Sequence, residues 1–545
     1  MYVVNNPVLQ RELLVNLRTL RGFALLFLYQ ALLGLVVYIA WPQDTRLDLS
    51  ENPQAARKLV DLFFLGQYVL ASMMAPSFAA GSITGEKERK TYEMLLASPL
   101  RPSAIVLGKL VASLTHLAVL VFASLPIVML CLPLGGVSLY EVLAAYLGLI
   151  SSVITYGAIS IWCSSYFHRT SASLVVSYLL ILPLALCGVL AWYWLSDNGS
   201  LRLWLTITAL PLSALLLTGA ALTNTSSRLL HPPDVGSEGK EVVDIEQEAQ
   251  TAVGLVIQRD QFPDRLFAPA KREDVMEDGA NPVYDKEMRS EIFSQGTLML
   301  RLVIQVSMVL ALPLMAACLY IWPQLAPWYI SYVLLFNMLV GPVFSAGSVT
   351  SERERQTLDL LLTTTITPWK ILWGKLIAGL RVSSVLTMFL LWPVLLACIM
   401  VQLYWPNLHR VAAYLAIVLM ACLTTALIAL FNSVLFRKTS MSLMASYLAI
   451  IVIFCAPLAA DFFAAEFFAD QRGASGVEWL GITSPFAAAT ALPMDVALLP
   501  STDLEAVSPD KWWLVAGYLT FSAMLNTALL SSMVWLFNVR WRVAE

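Results

Sequence analysis

"GSITGEKERKTYEMLLASPLRPSAIVLGKL" occupies residues 81–110, and "GSVTSERERQTLDLLLTTTITPWKILWGKL" occupies residues 347–376. A shift of 266 residues lays 81–112 on 347–378 with 15 of 32 positions identical. Each copy concentrates charge inside an apolar region. Glu86, Lys87, Glu88, Arg89 and Lys90 are consecutive in the first, and Glu352, Arg353, Glu354 and Arg355 in the second. Two further matches follow the same order. A shift of 269 aligns "FHRTSASLVVSY" (167–178) with "FRKTSMSLMASY" (436–447), with 7 of 12 identical. A shift of 275 brings "NPV" at Asn6 onto "NPV" at Asn281, and Glu12 onto Glu287. Matches in one order at similar offsets are the mark of a tandem duplication.

Between these matches the chain is apolar. Of its 545 residues, 58% are hydrophobic and only 13% charged, about half the charge of an ordinary soluble domain. Residues 228–291 hold 15 of the 37 acids and 8 of the 34 bases; elsewhere 26 bases face 22 acids, a balance of +4. That pattern reads as a weakly basic membrane body with one acidic soluble insert.

The stretches 22–41, 62–83, 142–167, 171–195 and 203–226 carry no charge, nor do 302–322, 325–350, 411–436, 441–460 and 512–539. The stretch 110–133 carries only His116, and 376–404 only Arg381. About 20 apolar residues cross the hydrocarbon core as a helix. The expected fold is therefore all-α: a polytopic membrane protein of about twelve transmembrane helices, arranged as two parallel six-helix repeats. Pro211 interrupts the sixth of these spans. The expected division is a first six-span half at 1–227, an acidic linker at 228–280 and a second half at 281–545.

Basic residues cluster at 11–21, 87–101, 168–169, 353–375, 437–438 and 540–542. Twelve crossings place all of these on one side, which the positive-inside rule makes cytosolic. Both termini and the acidic linker fall there too. The first span is too long for a cleaved signal and lacks a nearby A-x-A-like site. The seven cysteines all lie within expected spans, without C-x-x-C spacing, and the four histidines are scattered. Neither a metal site nor a disulfide framework is expected.

Each charged segment reads locally as a short helix between the second and third spans. Gly85 and Ser351 would be its N-caps, and "SERE" at 351–354 has capping-box form. Glu86, Glu88, Glu352 and Glu354 would then complement the positive end of the helix dipole. Met94, Leu95 and Leu96, like Leu360, Leu361 and Leu362, would anchor its far end in the bilayer or bundle. Pro102 and Pro368 would break the chain before the next span. A solvated loop needs charge, but it does not need E-x-E-R-x-T followed by L-L, P and G-K at fixed distances in both halves. Retention of that order favours docking of a soluble partner.

These segments resemble the signature of the ABC-2 class of ATP-binding-cassette exporter permeases. The resemblance extends to "NNPVLQRELLVNLRTLRG" and the "HRTS" turn, and covers most of both halves. It implies that E-x-E-R-x-T-x-x-x-L-L is a coupling helix seated in a nucleotide-binding subunit. Glu86, Glu88, Arg89 and Thr91, with Glu352, Glu354, Arg355 and Thr357, would contact the ATPase subunits, two in number; Arg169 and Lys438 would form a secondary contact. The family usually works as a dimer of six-span subunits, so the fused chain resembles a complete pseudo-dimer in the cytoplasmic membrane. Substrate would move outward at the expense of ATP, with ATP and Mg bound by the partner subunits. No cofactor, catalytic residue or nucleic-acid partner is expected in the chain itself. Gly108-Lys109 and Gly374-Lys375 are not phosphate loops, because leucine follows each and neither has the required upstream glycine.

The alternative is an ion-coupled secondary transporter with no ATPase partner. Such carriers place ionisable groups within the membrane, where these spans offer His116 and Arg381 but no acid. A membrane enzyme would need a metal set, an acid pair or an activated nucleophile, none of which the pattern supplies.

Overall fold

The structure, a computed structural model, describes residues 7, 9–10, 30–31, 34, 53–88, 90–131, 137–167, 170–195, 198–230, 281–289, 316, 326–354, 356–400, 402–467, 477–493 and 511–540. The chain forms two compact units, Met1–Asp234 and Val235–Glu545. Every regular element among the described residues is helical. Eight helices there are long and apolar enough to cross a membrane, or nine if a pair bent by 41° within 102–129 counts as one span. Nearly all of the expected first and seventh spans, at 22–41 and 302–322, and of the 228–280 linker lies outside the described residues.

The first unit comprises α1 (Pro53–Ala79), α2 (Gly81–Glu88), α3 (Tyr92–Leu96), α4 (Pro102–Cys131), α5 (Leu139–Tyr166), α6 (Thr170–Trp194), α7 (Gly199–Ile207) and α8 (Ala209–Leu230). The sequence dictates several of these boundaries. Pro102 opens α4, where a missing N–H costs nothing. Ser138 and Glu141 form a reciprocal capping box at the start of α5. The expected sixth span is present as α7 and α8, whose break falls at Thr208, three residues before Pro211.

The second unit comprises α9 (Pro282–Arg289), α10 (Ala326–Ala346), α11 (Thr350–Glu354), α12 (Leu358–Leu362), α13 (Pro368–Met400) and α14 (Leu408–Leu435). It continues through α15 (Thr439–Ile450), a π-turn at Ile451–Cys455, α16 (Ala456–Phe467), α17 (Pro485–Thr490) and α18 (Trp512–Arg540). Thr483 donates its hydroxyl to the Ile453 carbonyl at 2.9 Å, giving the π-turn a hydrogen-bond partner from outside the helix.

The fourth span is central in both units: α5 packs on α1, α4, α6 and α8, and α14 on α10, α13, α15 and α18. Buried small and hydroxyl side chains stud these helices, the composition that lets apolar helices pack closely in lipid. One joint recurs: Tyr178 donates to the Met73 carbonyl and Tyr447 to the Leu339 carbonyl, each at 2.6 Å. The cores otherwise diverge. The first unit pairs the Tyr68 and Tyr156 hydroxyls, whereas in the second the Asn337 amide joins Thr387, Cys422 and Thr425.

The charged segment departs from its sequence reading. Gly85 lies inside α2, and Ser351 is the second residue of α11, so neither is an N-cap. The helix ends after the acids rather than beginning at them. Its end is a Schellman turn: Thr91 N–H bonds to the Glu86 carbonyl and Lys90 N–H to the Lys87 carbonyl. Thr357 with Glu352, and Gln356 with Arg353, repeat both bonds. Lys90 (φ 57°) and Gln356 (φ 59°) occupy the left-handed position that this turn normally gives to glycine. A side chain there costs about 1–2 kcal/mol. Gln356→Gly is therefore expected to raise stability by about 1 kcal/mol, read as a higher unfolding temperature in detergent, and Gln356→Val to lower it.

Candidate functional site

Each E-x-E-R-x-T segment is the hub of a hydrogen-bonded clasp that joins the second span to the third, fourth and fifth. The clasp is built twice from matching residues.

Ser164, near the end of α5, accepts from the Ile83 and Thr84 amides at 3.2 and 2.9 Å. Ser433 on α14 accepts from the Val349 and Thr350 amides, both at 3.0 Å. The basic residue between the acids returns the contact. Lys87 Nζ donates to the Ser165 and Phe167 carbonyls at 2.7 and 3.0 Å. Arg353 donates to the Val434 and Phe436 carbonyls at 3.0 and 2.6 Å. A cation is thus placed on the last carbonyls of the fourth span, at the negative end of its dipole.

The second acid of each motif caps the fifth span. Glu88 Oε1 accepts from the Thr170 amide at 2.8 Å. Glu354 accepts from the Thr439 amide at 3.1 Å and its hydroxyl at 3.0 Å. Thr170 and Thr439 are the first residues of α6 and α15. These carboxylates do meet a positive helix end, but that of another helix; in their own helix they occupy the last turn.

The first acid turns inward to the lysine of the G-K pair. Lys109 Nζ lies 3.2 Å from Glu86 Oε1 and 2.8 Å from the Ser82 carbonyl. Lys375 Nζ lies 3.7 Å from Glu352 Oε1 and 2.7 Å from the Ser348 carbonyl. The motif threonine closes the ring, Thr91 donating to Glu86 Oε2 and Thr357 to Glu352 Oε2. The sixth-position threonine is thereby explained: its backbone and side chain both return to the first glutamate.

In the second unit the amphipathic helix α9 completes the clasp. Lys286 pairs with Glu352 at 2.7 Å, and Glu287 with Lys375 at 2.6 Å. Asn281 donates to the Lys370 carbonyl at 2.7 Å. A Cβ on Gly374 would stand 3.0 Å from the Tyr284 amide nitrogen, so this glycine permits the approach. Arg381 donates to the Tyr284 hydroxyl at 3.3 Å, tying that span's lone cation to the same helix.

Glu86, Glu88, Thr91, Glu352, Glu354 and Thr357 are thus gathered into the two clasps. Arg89, Arg355 and Arg169 lie outside the described residues. Lys438 is exposed and extended, directly before α15. Sequence reasoning missed Ser164 and Ser433, although these are identical at the 269 shift, three residues before the aligned window. It also assigned Lys109 and Lys375 no partner, and placed Met94 and Leu360 among the anchors. In the structure Leu361 and Leu362 pack on a core cluster of the second unit, while Met94 and Leu360 face outward, 76% and 72% exposed. Tyr92 lies beneath the clasp with Lys87 Nζ 5.5 Å from its ring centre. Burial pushes its phenol above the usual range, against the opposing charge of Arg228. No group of three or more His, Cys, Asp or Glu among the described residues could hold a metal ion.

No curated protein and no solved structure matches the chain. The sequence model of the family described as "ABC-2 family transporter protein" matches twice, over residues 7–201 and 200–536. The chain belongs to the ABC-2 family of transporter proteins, an integral membrane permease that carries the family's region twice in tandem.

Proposed function

We propose that this permease exports its substrate using ATP hydrolysed by separate subunits, two per chain, that dock on its two clasps from the cytosol. ATP and Mg are bound by those subunits. The observation that carries this reading is the doubled clasp. A segment at the end of the second span is fixed to three further spans by charge-assisted hydrogen bonds, and the same fixing recurs. A push on such a segment moves several spans together, which a loosely tethered loop could not transmit.

In this reading Glu86, Thr91, Glu352 and Thr357 act by holding the coupling segment in shape. Glu88 and Glu354 are exposed as well as capping, so they, with Arg89 and Arg355, reach the ATPase edge. Arg169 and Lys438 supply the secondary contact. The clasps and both termini lie in the cytosol, as the basic clusters favour, and the membrane is the cytoplasmic one.

Affinity purification of the intact chain in mild detergent tests the proposal. The expected companion is a polypeptide carrying G-x-x-x-x-G-K-[ST], at two copies per chain. A monodisperse chain with no such ATPase would overturn it.

A further inference from the structure

At the end of the first unit opposite its clasp, four charged side chains meet around one cavity. Arg57 and Asp61 lie near the start of α1, Glu141 on the first turn of α5, and Arg202 on α7. Asp61 stands 20 residues before Gly81, about 30 Å along a helix, which is the thickness of the hydrocarbon core. The cavity therefore sits at the far membrane boundary. It is open on one side and holds about 440 Å³ counting the solvent at its mouth. That is room for the charged end of a molecule whose remainder lies outside.

The four charges differ in what they already hold. Arg202 is fixed: its Nη2 donates to Asp61 Oδ1 at 2.6 Å, and its guanidinium carbon lies 3.3 Å from the centre of the Trp192 ring. This pair forms a neutral floor, with the Arg202 side chain buried. Arg57 and Glu141, by contrast, have no ion-pair partner among the described residues. Glu141 uses Oε2 in its capping box, which leaves Oε1 to the cavity. Both side chains face Gly199. A Cβ there would stand 3.2 Å from Arg57 Nη2 and 4.0 Å from Glu141 Oε1, so the glycine keeps the space beside them open.

The fold of a half does not require these charges. The 266-residue shift carries Arg57 and Asp61 onto Pro323 and Pro327, and the 269-residue shift carries Glu141 onto Arg410. The clasp is common to both halves; this arrangement belongs to the first.

We infer that the cavity binds the headgroup of a zwitterionic phospholipid, its phosphate on Arg57 and its primary ammonium on Glu141. Two arginines balance two carboxylates, so a ligand without net charge leaves the site neutral. An anionic headgroup would bring uncompensated charge beside Asp61 and Glu141. A guanidinium fork matches phosphate oxygens, and the open carboxylate oxygen accepts from an ammonium. The rim points to lipid as the source. Tyr140 and Trp204, close to Glu141 and Arg202 in the chain, are 75% and 64% exposed, as aromatics at a membrane interface are. The inference is independent of which subunit hydrolyses ATP.

The test titrates the intact chain in mild detergent with phosphatidylethanolamine or phosphatidylglycerol and reads bound lipid by native mass spectrometry. Wild type is expected to hold phosphatidylethanolamine at least tenfold more tightly than Arg57→Gln with Glu141→Gln, and more tightly than it holds phosphatidylglycerol. Glutamine at 141 preserves the capping box, so the unfolding temperature should not change. Gly199→Ala keeps every charge but crowds Arg57, and it too should weaken retention. Equal retention of phosphatidylethanolamine by wild type and both variants would overturn the inference, as would tighter binding of phosphatidylglycerol by wild type. Glycerophosphoethanolamine, the same headgroup without its chains, should leave the bound lipid in place at equal concentration; displacement there would overturn lipid as the ligand.

Discussion

Lys375→Met is expected to cost about 3–5 kcal/mol, the usual penalty for removing one partner of a buried ion pair. The Lys375 side chain is 1% exposed, and the Glu287 and Glu352 side chains beside it are 18% and 11% exposed. Methionine fills much the same volume, so the loss is chiefly electrostatic. It leaves two enclosed carboxylates without their shared ammonium, while the exposed Lys286 still pairs with Glu352. The unfolding temperature of the purified chain in detergent reads the effect directly. Adding Glu287→Gln and Glu352→Gln to Lys375→Met should recover part of the loss, since no enclosed charge then remains without its counter-ion and Lys286 is exposed to water. Lys109→Met should cost less, because Glu86 is 24% exposed and water can replace part of its partner. Equal melting of Lys375→Met and wild type would mean that the clasp contributes nothing to the stability of the unit.

Ser433→Ala is expected to rank next, at about 2–4 kcal/mol. It removes one small hydroxyl but leaves two amide donors, those of Val349 and Thr350, without their acceptor. A buried amide left unsatisfied costs about 1–3 kcal/mol. The loss is local, so it should appear first as opening of the segment around α11. Trypsin cleavage after Arg355 measures that opening. When opening precedes cutting, about 1.4 kcal/mol corresponds to a tenfold change in rate, and acceleration by a factor of about 30 or more is expected. Ser164→Ala should produce the same signature after Arg89. Unchanged cleavage in both variants would show that these serines do not hold the segment.

Much of the site was legible in the chain, though its geometry was not. The order E-x-E-R-x-T pointed to glutamates and threonines that the structure gathers into the clasps, and its repetition pointed to a constrained setting. What local reading inverted was the polarity of the helix. "SERE" satisfies the capping-box pattern, and no glycine or asparagine at positions 90 or 356 signals a C-terminus. Lys90 and Gln356 adopt the left-handed conformation anyway, because the Thr91 and Thr357 bonds to the first glutamates outweigh its cost. Likewise "MLL" and "LLL" read as uniform apolar anchors. Only the direction in which α3 and α12 leave the turn separates the exposed Met94 and Leu360 from the half-buried leucines beside them.

Composition, hydropathy and repetition by themselves determined that this is a helical membrane protein built from two related halves, with a charged device at the same place in each. Those properties are sums over many residues, and no single contact can overturn them. The tertiary structure decided which helix each charge serves. Glu88 and Thr170 are 82 residues apart, and Arg353 and Phe436 are 83 apart. A hydrogen bond between such distant residues leaves no local pattern, because its partners are brought together only when the spans pack.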